Sequence, residues 1–144
     1  MPDAIAIQIA KAVVHDLNEH AFSESFTAVR KYYAVEDLKN MSDLHVTIVP
    51  KAHAQGIVGR NQVDELYAVD VAVQKKIEVN DLDVGDPLML LVEEIKDFLK
   101  FRKLADYVAA SWVKTENEPL YSYEHMRDFR QFTSVVTVTY KLIR

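Results

Sequence analysis

The chain has 144 residues, 49% of them hydrophobic, with 17 Lys and Arg against 22 Asp and Glu, for a formal net charge of −5. These values predict one globular domain, residues 1–144, with enough apolar side chains for a packed core. The acidic balance disfavours non-specific nucleic-acid binding, which depends on clustered positive charge. With no Cys, the sequence excludes disulfides, thiolate catalysis and Zn–thiolate sites.

The sequence shows no targeting segment. Its N-terminal residues include Asp3 and Gln8 and lack the basic region of a signal peptide. The longest apolar run, Pro87–Val92, is far shorter than the ~20 residues that cross a bilayer. We therefore expect a soluble protein that is made in the cytoplasm and has no membrane partner.

The first predicted element is an amphipathic helix from Asp3 to His20, with Asp3 as its N-cap. Its apolar residues recur at spacings of three and four and so share one face. They are Ile5, Ile9, Ala12, Val13 and Leu17.

Two predicted strands follow, each rich in β-branched or aromatic residues: Phe26–Tyr33 and Leu44–Val49. A bend at Val35–Leu38 and a polar connection, Lys39–Asp43, separate them. Pro50 is expected to end the second strand, because proline cannot donate to a strand ladder. The next stretch, Lys51–Asp64, is predicted to be a long and functional loop.

The middle of the chain predicts a third strand, Glu65–Lys75, a turn at Asn80–Gly85 and a second helix. Asp86 is expected to cap that helix, with Pro87 at its first position. The apolar side chains of the strand alternate, and those of the helix form a stripe. The two sets are Tyr67, Val69, Val71 and Val73, and Leu88, Val92, Ile95 and Leu99.

The last third predicts a fourth strand, Tyr107–Lys114, a polar connection, Thr115–Met126, and a fifth strand, Phe129–Ile143. The fifth strand has one apolar face, formed by Val136, Val138, Tyr140 and Leu142. One apolar and one wettable face suit an antiparallel sheet with helices on one side. The sequence thus predicts an α+β fold in the order α-β-β-β-α-β-β, with a mostly antiparallel five-stranded sheet packed against two helices.

The His residues do not form a recognisable metal site. His15 and Glu19 share a helix face, but His20 lies about 140° away from His15, and no third ligand is evident. His45, His53 and His125 are isolated, which favours surface or interface roles. The sequence therefore predicts neither a metal ion nor another cofactor.

Catalytic motifs are also missing. Acidic neighbours such as Glu36-Asp37, Asp64-Glu65, Asp81 with Asp83 and Glu93-Glu94 are typical of solvated turns and helices. The segment Gly56–Arg60 lacks the Lys-Ser/Thr and the following helix of a phosphate loop. Trp112 lies in a predicted strand, which favours a core position over an interface anchor. The chain is therefore predicted not to be an enzyme.

Element order and residue pattern together resemble the tail terminator, or tail completion, proteins of long-tailed bacteriophages. The matching features are the amphipathic helix, the bend Val35–Leu38 and the strand Leu44–Pro50 with its polar loop. Further along they are the strand Val69–Lys75 leading to the helix Asp86–Ile95, the strand with Trp112, the Tyr-rich connection and the terminal Phe132–Tyr140. The likeness covers nearly the whole chain and includes no catalytic motif.

This resemblance implies a structural virion protein. Its copies would form a sixfold ring that caps the finished tail tube, stops its polymerisation and presents the head-joining surface. The implied partners are the tail tube protein and a head-completion or neck protein. The implied location is the virion tail or neck, after assembly in the host cytoplasm. DNA would pass through the ring lumen without specific recognition.

Three side chains in the two long connections are candidate docking or subunit-interface residues: Arg60, Tyr121 and Tyr123. Arginine offers a planar fork of donors, and tyrosine combines apolar area with a hydroxyl. The alternative is that both connections are merely solvated loops.

Two other functions stay open from the sequence. One is a head–tail connector or neck protein of a phage. The other is a small α+β ligand-binding module or enzyme with a pocket between helices and sheet.

Overall fold

The computed structural model describes residues 2–34, 43–78 and 80–144. The observed elements are α1 (Ile5–Asn18), β1 (Ala28–Arg30), β2 (His45–Gly59), β3 (Gln62–Lys76), α2 (Leu82–Leu99), β4 (Ser111–Glu116), α3 (Tyr123–Phe129) and β5 (Gln131–Ile143). The predicted α+β class, the five strands and the two long helices are confirmed. The short helix α3 interrupts the predicted order between the last two strands.

The five strands form one mixed sheet in the order β1-β2-β3-β5-β4. Four strands pair antiparallel, as predicted, but β1 pairs parallel to β2. The end of α1 places β1 there: the Asn18 side-chain amide donates to the Ala28 carbonyl at 3.1 Å and its oxygen accepts from the Ala28 N–H at 2.7 Å. Only three residues of the predicted strand Phe26–Tyr33 join the sheet.

Helices α1 and α2 cover one face of the sheet, which we call the core face. The alternation predicted for β3 and β5 is confirmed, because their apolar sets are buried there. The residues are Tyr67, Val69, Val71, Val73, Val136, Val138, Tyr140 and Leu142. The helical stripes pack against them through Ile9, Val13, Leu17, Leu88, Val92, Ile95 and Leu99.

Both predicted helix starts are wrong. Helix α1 begins after Ala4, and the Asp3 carboxylate accepts from the Lys11 ammonium group at 2.6 Å. Helix α2 begins four residues before Asp86, because the Asp81 carboxylate accepts from the N–H groups of Asp83 and Val84 at 3.1 and 3.3 Å. Pro87 therefore lies inside the helix.

The predicted loop Lys51–Asp64 is also wrong, since β2 and β3 continue through it as a hairpin. Pro50 does not end β2, because among the described residues β1 pairs only with Val46–Ile48. The outer edge of β2 at Pro50 has no paired strand there, so a missing N–H costs no ladder bond.

The last strands are shifted. Residues 107–110 form turns, with the Ala110 N–H donating to the Tyr107 carbonyl at 3.2 Å, so β4 starts at Ser111. Arg130 ends α3 in the left-handed region, with a φ of 51°, and β5 begins after it. Most of the predicted bend and connection, Val35–Leu38 and Lys39–Asp43, lies outside the described residues.

Candidate docking surfaces

The first candidate surface is the distal part of the β2–β3 hairpin, residues 51–64, which we call the arm. Its turn is tight, since Gly59 pairs with Gln62 and Asn61 takes the left-handed conformation that asparagine tolerates. Every β2 residue from Lys51 to Gly59 is exposed. No helix of the described chain covers the arm, which therefore offers its side chains to a partner.

The arm carries both an apolar and a charged group near its tip. The Ile57 side chain is 92% exposed, although its cross-strand partner Val63 aligns it with the core face. Arg60 occupies the turn, and within the described part of the chain it makes no hydrogen bond or ion pair. Isoleucine beside a free guanidinium is typical of an interface, because both groups gain from contact with a partner.

A buried carboxylate fastens the base of the arm. Glu65 is fully buried and accepts hydrogen bonds from Gln55 at 2.8 Å, from His53 at 3.1 Å and from the Arg144 guanidinium. The bonds from Gln55 and then Arg144 hold the pKa of the Glu65 carboxyl at about 2. The His53 ring stacks on Tyr67 with centroids 4.2 Å apart. This cluster ties β2 and the end of β5 to β3.

The second candidate surface is at the opposite end of the sheet, around α3. Tyr123 is 65% exposed and its ring lies 5.3 Å from the Arg127 guanidinium carbon. Tyr121 is 38% exposed, and its ring stacks on that of Phe132 with the ring centroids 6.2 Å apart. The Ser122 N–H donates to the Thr133 carbonyl at 2.8 Å, which attaches this segment to the start of β5. We call it the tyrosine end.

A cleft of about 150 Å³ opens beside Tyr121. It is lined mainly by apolar side chains, among them Ile77, Met89, Met126 and Phe132, with Asp86 at its rim. Ligand pockets usually measure ~300–1,000 Å³. The cleft is thus too small for an ordinary cofactor or metabolite.

The structure does not bring the three predicted docking residues together in one copy. Arg60 lies beyond the C-terminal end of β5, where Val63 and Arg144 exchange backbone hydrogen bonds of 2.8 and 3.0 Å. Tyr121 and Tyr123 lie near the start of that strand. At about 3.3 Å per strand residue, the stretch from Thr133 in β5 to Arg144 alone spans roughly 36 Å. Whether either end docks a partner remains a prediction.

On the face of the sheet opposite the core face, the part away from α3, which we call the open face, is a shallow surface of small and polar side chains. Its members include Ala52, Ala54, Leu66, Ala68, Lys114, Glu116, Thr137 and Thr139. Lys51 reaches across it to Asp70 at 3.7 Å, and Thr137 donates to Asp70 at 2.6 Å. The face therefore contains charges of both signs.

Three of the His residues, His15, His20 and His125, have structural partners. His15 contacts Asp106 at 2.9 Å and Glu19 at 3.6 Å, while His20 stacks on Phe98 at 4.2 Å. His125 bonds the Thr133 hydroxyl at 2.9 Å. Among the described residues, no group of three or more His or acidic side chains could hold a metal ion.

The fold separates Asp64 from Glu65, because neighbouring residues of a strand point to opposite faces. Asp64 contacts Lys141 at 3.6 Å, and Asp81 caps α2. Glu36-Asp37 lies outside the described residues. Trp112 packs against the core as predicted, and its indole N–H donates to the Thr115 hydroxyl at 2.9 Å.

Sequence reasoning missed a charged pair under the helices. Asp16 is buried and accepts from the Arg102 guanidinium at 2.8 Å, and that guanidinium lies 4.1 Å from the centre of the Phe98 ring. Asp16 falls next to the apolar face of α1, which is the only sequence signal for its burial. The arm was missed too, although Ile57-Val58 and Val63 flank a short Gly-Arg-Asn turn.

Comparison with known proteins gives a similarity in fold alone. No family model and no curated protein sequence matches the chain. Among solved structures, the chain is similar to the PVC sheath/tube terminator of an extracellular contractile injection system, determined by cryo-EM in the extended state. The TM-score is 0.51 at 14% sequence identity, and the match covers 100% of this chain and 58% of that one.

The chain thus has a terminator-like fold and spans little more than half the length of the terminator it matches. In the described ranges, none of the helices has the length and apolar character needed to cross a membrane.

Proposed function

We propose that the chain is a tail terminator: it caps a completed tail tube, stops its polymerisation and provides the surface to which the next component joins. The observation that carries this proposal is the fold similarity to a sheath/tube terminator over the full length of the chain. The resemblance of the sequence to phage tail terminators points to the same role independently of the structure.

The two candidate surfaces suit a protein that sits between two partners. A terminator must contact the tube on one side and the next component on the other. The arm with Arg60 and the tyrosine end with Tyr121 and Tyr123 lie at opposite ends of the long strands. A molecule that docks through both ends joins two partners without bringing them into contact.

In this proposal the copies form a sixfold ring in the tail or neck of a virion or tail-like particle. The partners are the tail tube protein at one end and a head-completion or neck protein at the other. DNA would pass through the lumen without sequence-specific contacts. The chain performs no catalysis and needs no cofactor.

A head–tail connector or neck protein is the second candidate. It would use the same two ends, but it would bind a portal or head component in place of the open tube. The surface gives little support to the third candidate, a ligand-binding module. The cleft beside Tyr121 measures only about 150 Å³, and the larger depressions of about 310–470 Å³ on the described residues are shallow and open to solvent.

The test is assembly of tail tubes from the cognate tube protein with and without this chain, followed by electron microscopy. We expect the wild type to shorten the tubes to a defined length and to appear as a cap at one end.

Arg60→Ala and the double variant Tyr121→Ala with Tyr123→Ala are made separately, since the substituted residues lie at different ends of the molecule. One should abolish capping, and the other should leave capped tubes that fail to join the next component.

Lys103→Ala is the matched control, because Lys103 is exposed and lies outside both surfaces. Normal capping and joining by both variants would eliminate these side chains as docking groups. Tubes of unlimited length in the presence of folded wild type would eliminate the terminator function itself.

A further inference from the structure

Among the described residues, both edges of the sheet are open. At one edge, pairing to β1 stops at Ile48, whose carbonyl accepts the last bond from the Lys31 N–H at 3.0 Å. Along residues 49–59, no described strand pairs with the outer edge of β2. At the other edge, β4 pairs only with β5. An open edge presents unpaired backbone donors and acceptors, which a further strand can satisfy. On the β2 edge Pro50, which has no N–H, can contribute only its carbonyl.

The two open edges lie at the same height in the sheet. Following the register across the strands, Lys114 aligns with Thr139, then Ala68, then Ala52. In the same way Glu116 aligns with Thr137, Asp70 and Val49. The whole of β4 therefore lies level with the first part of the unpaired edge of β2.

The strand directions are also compatible. β2, β3, β5 and β4 alternate in direction, so β4 runs opposite to β2. If a second copy is placed beside the first with its sheet in the same orientation, its β2 lies antiparallel to β4 of the first. Antiparallel pairing is the most common strand arrangement.

The side chains at the two edges are compatible with the approach of a second copy. The open-face residues on β2 are small at Ala52 and Ala54, which lets another strand approach closely. Lys51 and Glu116 have opposite charges and lie at neighbouring heights on the open face of the two edges, where within one copy Lys51 contacts Asp70 at 3.7 Å and Glu116 contacts Lys114 at 3.0 Å. Opposite charges side by side across strands favour pairing, whereas like charges oppose it.

We infer that the partner of the unpaired β2 edge is β4 of a second copy of this chain, so that neighbouring sheets become continuous. This inference rests on the proposed ring and names the contact that builds it. It is a heterologous contact, because two different edges meet, and such contacts close into rings when the rotation between copies allows. Each copy has one edge of each kind, so every copy in a closed ring satisfies both.

The absence of Cys makes disulfide trapping a direct test. The variant with Ala52→Cys and Lys114→Cys has one thiol on each edge, at equal height and on the same face. Within one copy the two positions are three strand spacings apart, roughly 14 Å, which is too far for a disulfide. Mild oxidation should therefore give a ladder of linked copies that ends at the ring size. A second variant, Ala54→Cys with Lys114→Cys, allows for a shift of two residues in register.

Three controls make the ladder specific. Neither Ala52→Cys nor Lys114→Cys alone should form dimers, since the same edge does not meet itself. The pair Ala52→Cys with Lys11→Cys should give no ladder, because Lys11 is exposed on α1, where it pairs with Asp3, and belongs to neither edge strand. Wild type without thiols is measured in parallel by native mass spectrometry.

Each outcome decides between the proposals. Efficient dimers from either single-Cys variant would show that an edge pairs with itself, which overturns the inference. A wild-type ring with no ladder from either pair would place the subunit contact elsewhere and leave the terminator function standing. A ladder without a closed wild-type species would support the edge contact and count against the ring. A monomer with no ladder at any concentration would overturn both edge contact and ring.

Discussion

The two halves of the β2–β3 hairpin differ in what covers them. Near its base, Val46, Ile48, Val71 and Val73 lie beneath the helices and are buried. In the arm, Ile57 follows the same strand geometry and aligns with the core face, yet its side chain is almost fully exposed. Strand formation and burial are therefore separate properties here. The pairing of β2 with β3 makes the arm, and since no helix in the described ranges covers it, the arm is available to a partner.

The largest expected change in the free energy of unfolding comes from a charge placed in the covered half, compared with the same charge placed in the arm. Val138→Asp places a carboxylate against the helices and should destabilise the fold by about 3–5 kcal/mol, because an unpaired buried charge has no compensating partner. Ile95→Asp should do the same from α2. Ile57→Asp is the matched control and should change the free energy of unfolding by less than about 0.5 kcal/mol.

Urea unfolding measures all three, with the midpoint compared at constant m-value. Equal midpoints for Val138→Asp and Ile57→Asp would show that the contrast between the two halves is wrong. An unchanged midpoint in Ile95→Asp would refute the packing of α2 on the sheet.

A smaller effect is expected from the charged pair under the helices. Arg102→Ala leaves the buried Asp16 carboxylate without its 2.8 Å partner, which should cost about 1–3 kcal/mol. Lys100→Ala is the control, because Lys100 forms only an exposed pair with Asp97 at 3.7 Å. Such a pair is worth ~0–1 kcal/mol. A thermal or urea midpoint that falls equally in both variants would contradict the structural role of Asp16.

The third effect is a loss of folding stability at low pH, and it arises at the base of the arm. The pKa of Glu65 is about 2, lowered from 4.5 by hydrogen bonds from Gln55 and then Arg144. The unfolded chain therefore binds more protons than the folded chain between these values, so stability falls as the pH is lowered through this range. The contribution of Glu65 is fully present above about pH 4.5 and is lost towards about pH 2.

Glu65→Gln should remove this contribution. Its unfolding midpoint should lie below that of the wild type at neutral pH, and the two should converge as the pH is lowered. Hydrogen exchange at the arm amides should rise in the variant, because Glu65 ties His53 and Gln55 of β2 to β3. Parallel pH profiles would indicate that the carboxylate does not hold the base of the arm.

Much of the covered half could be predicted from the sequence. Period-two alternation placed Val69, Val71, Val136 and Val138 on one face, and helical spacing placed Ile95 against them. The arm could not be predicted in the same way, because its apolar residues are few and its two glycines weaken a strand pattern. The start of α2 was predicted wrongly for a local reason. Asp81 and Asp86 are both residues that can cap a helix, and only the fold selects one of them.

The sequence by itself determined the fold class, the two helices, the core faces of β3 and β5 and the lack of a catalytic motif. These features depend on residue type and short-range periodicity, which a chain carries wherever it folds. The tertiary structure alone decided the parallel position of β1, the exposure of Ile57 and the burial of Glu65. It also decided the pairing of Glu65 with Arg144, which is 79 residues away in the chain. Those outcomes depend on which surfaces meet across long sequence separations, and no local pattern encodes that choice.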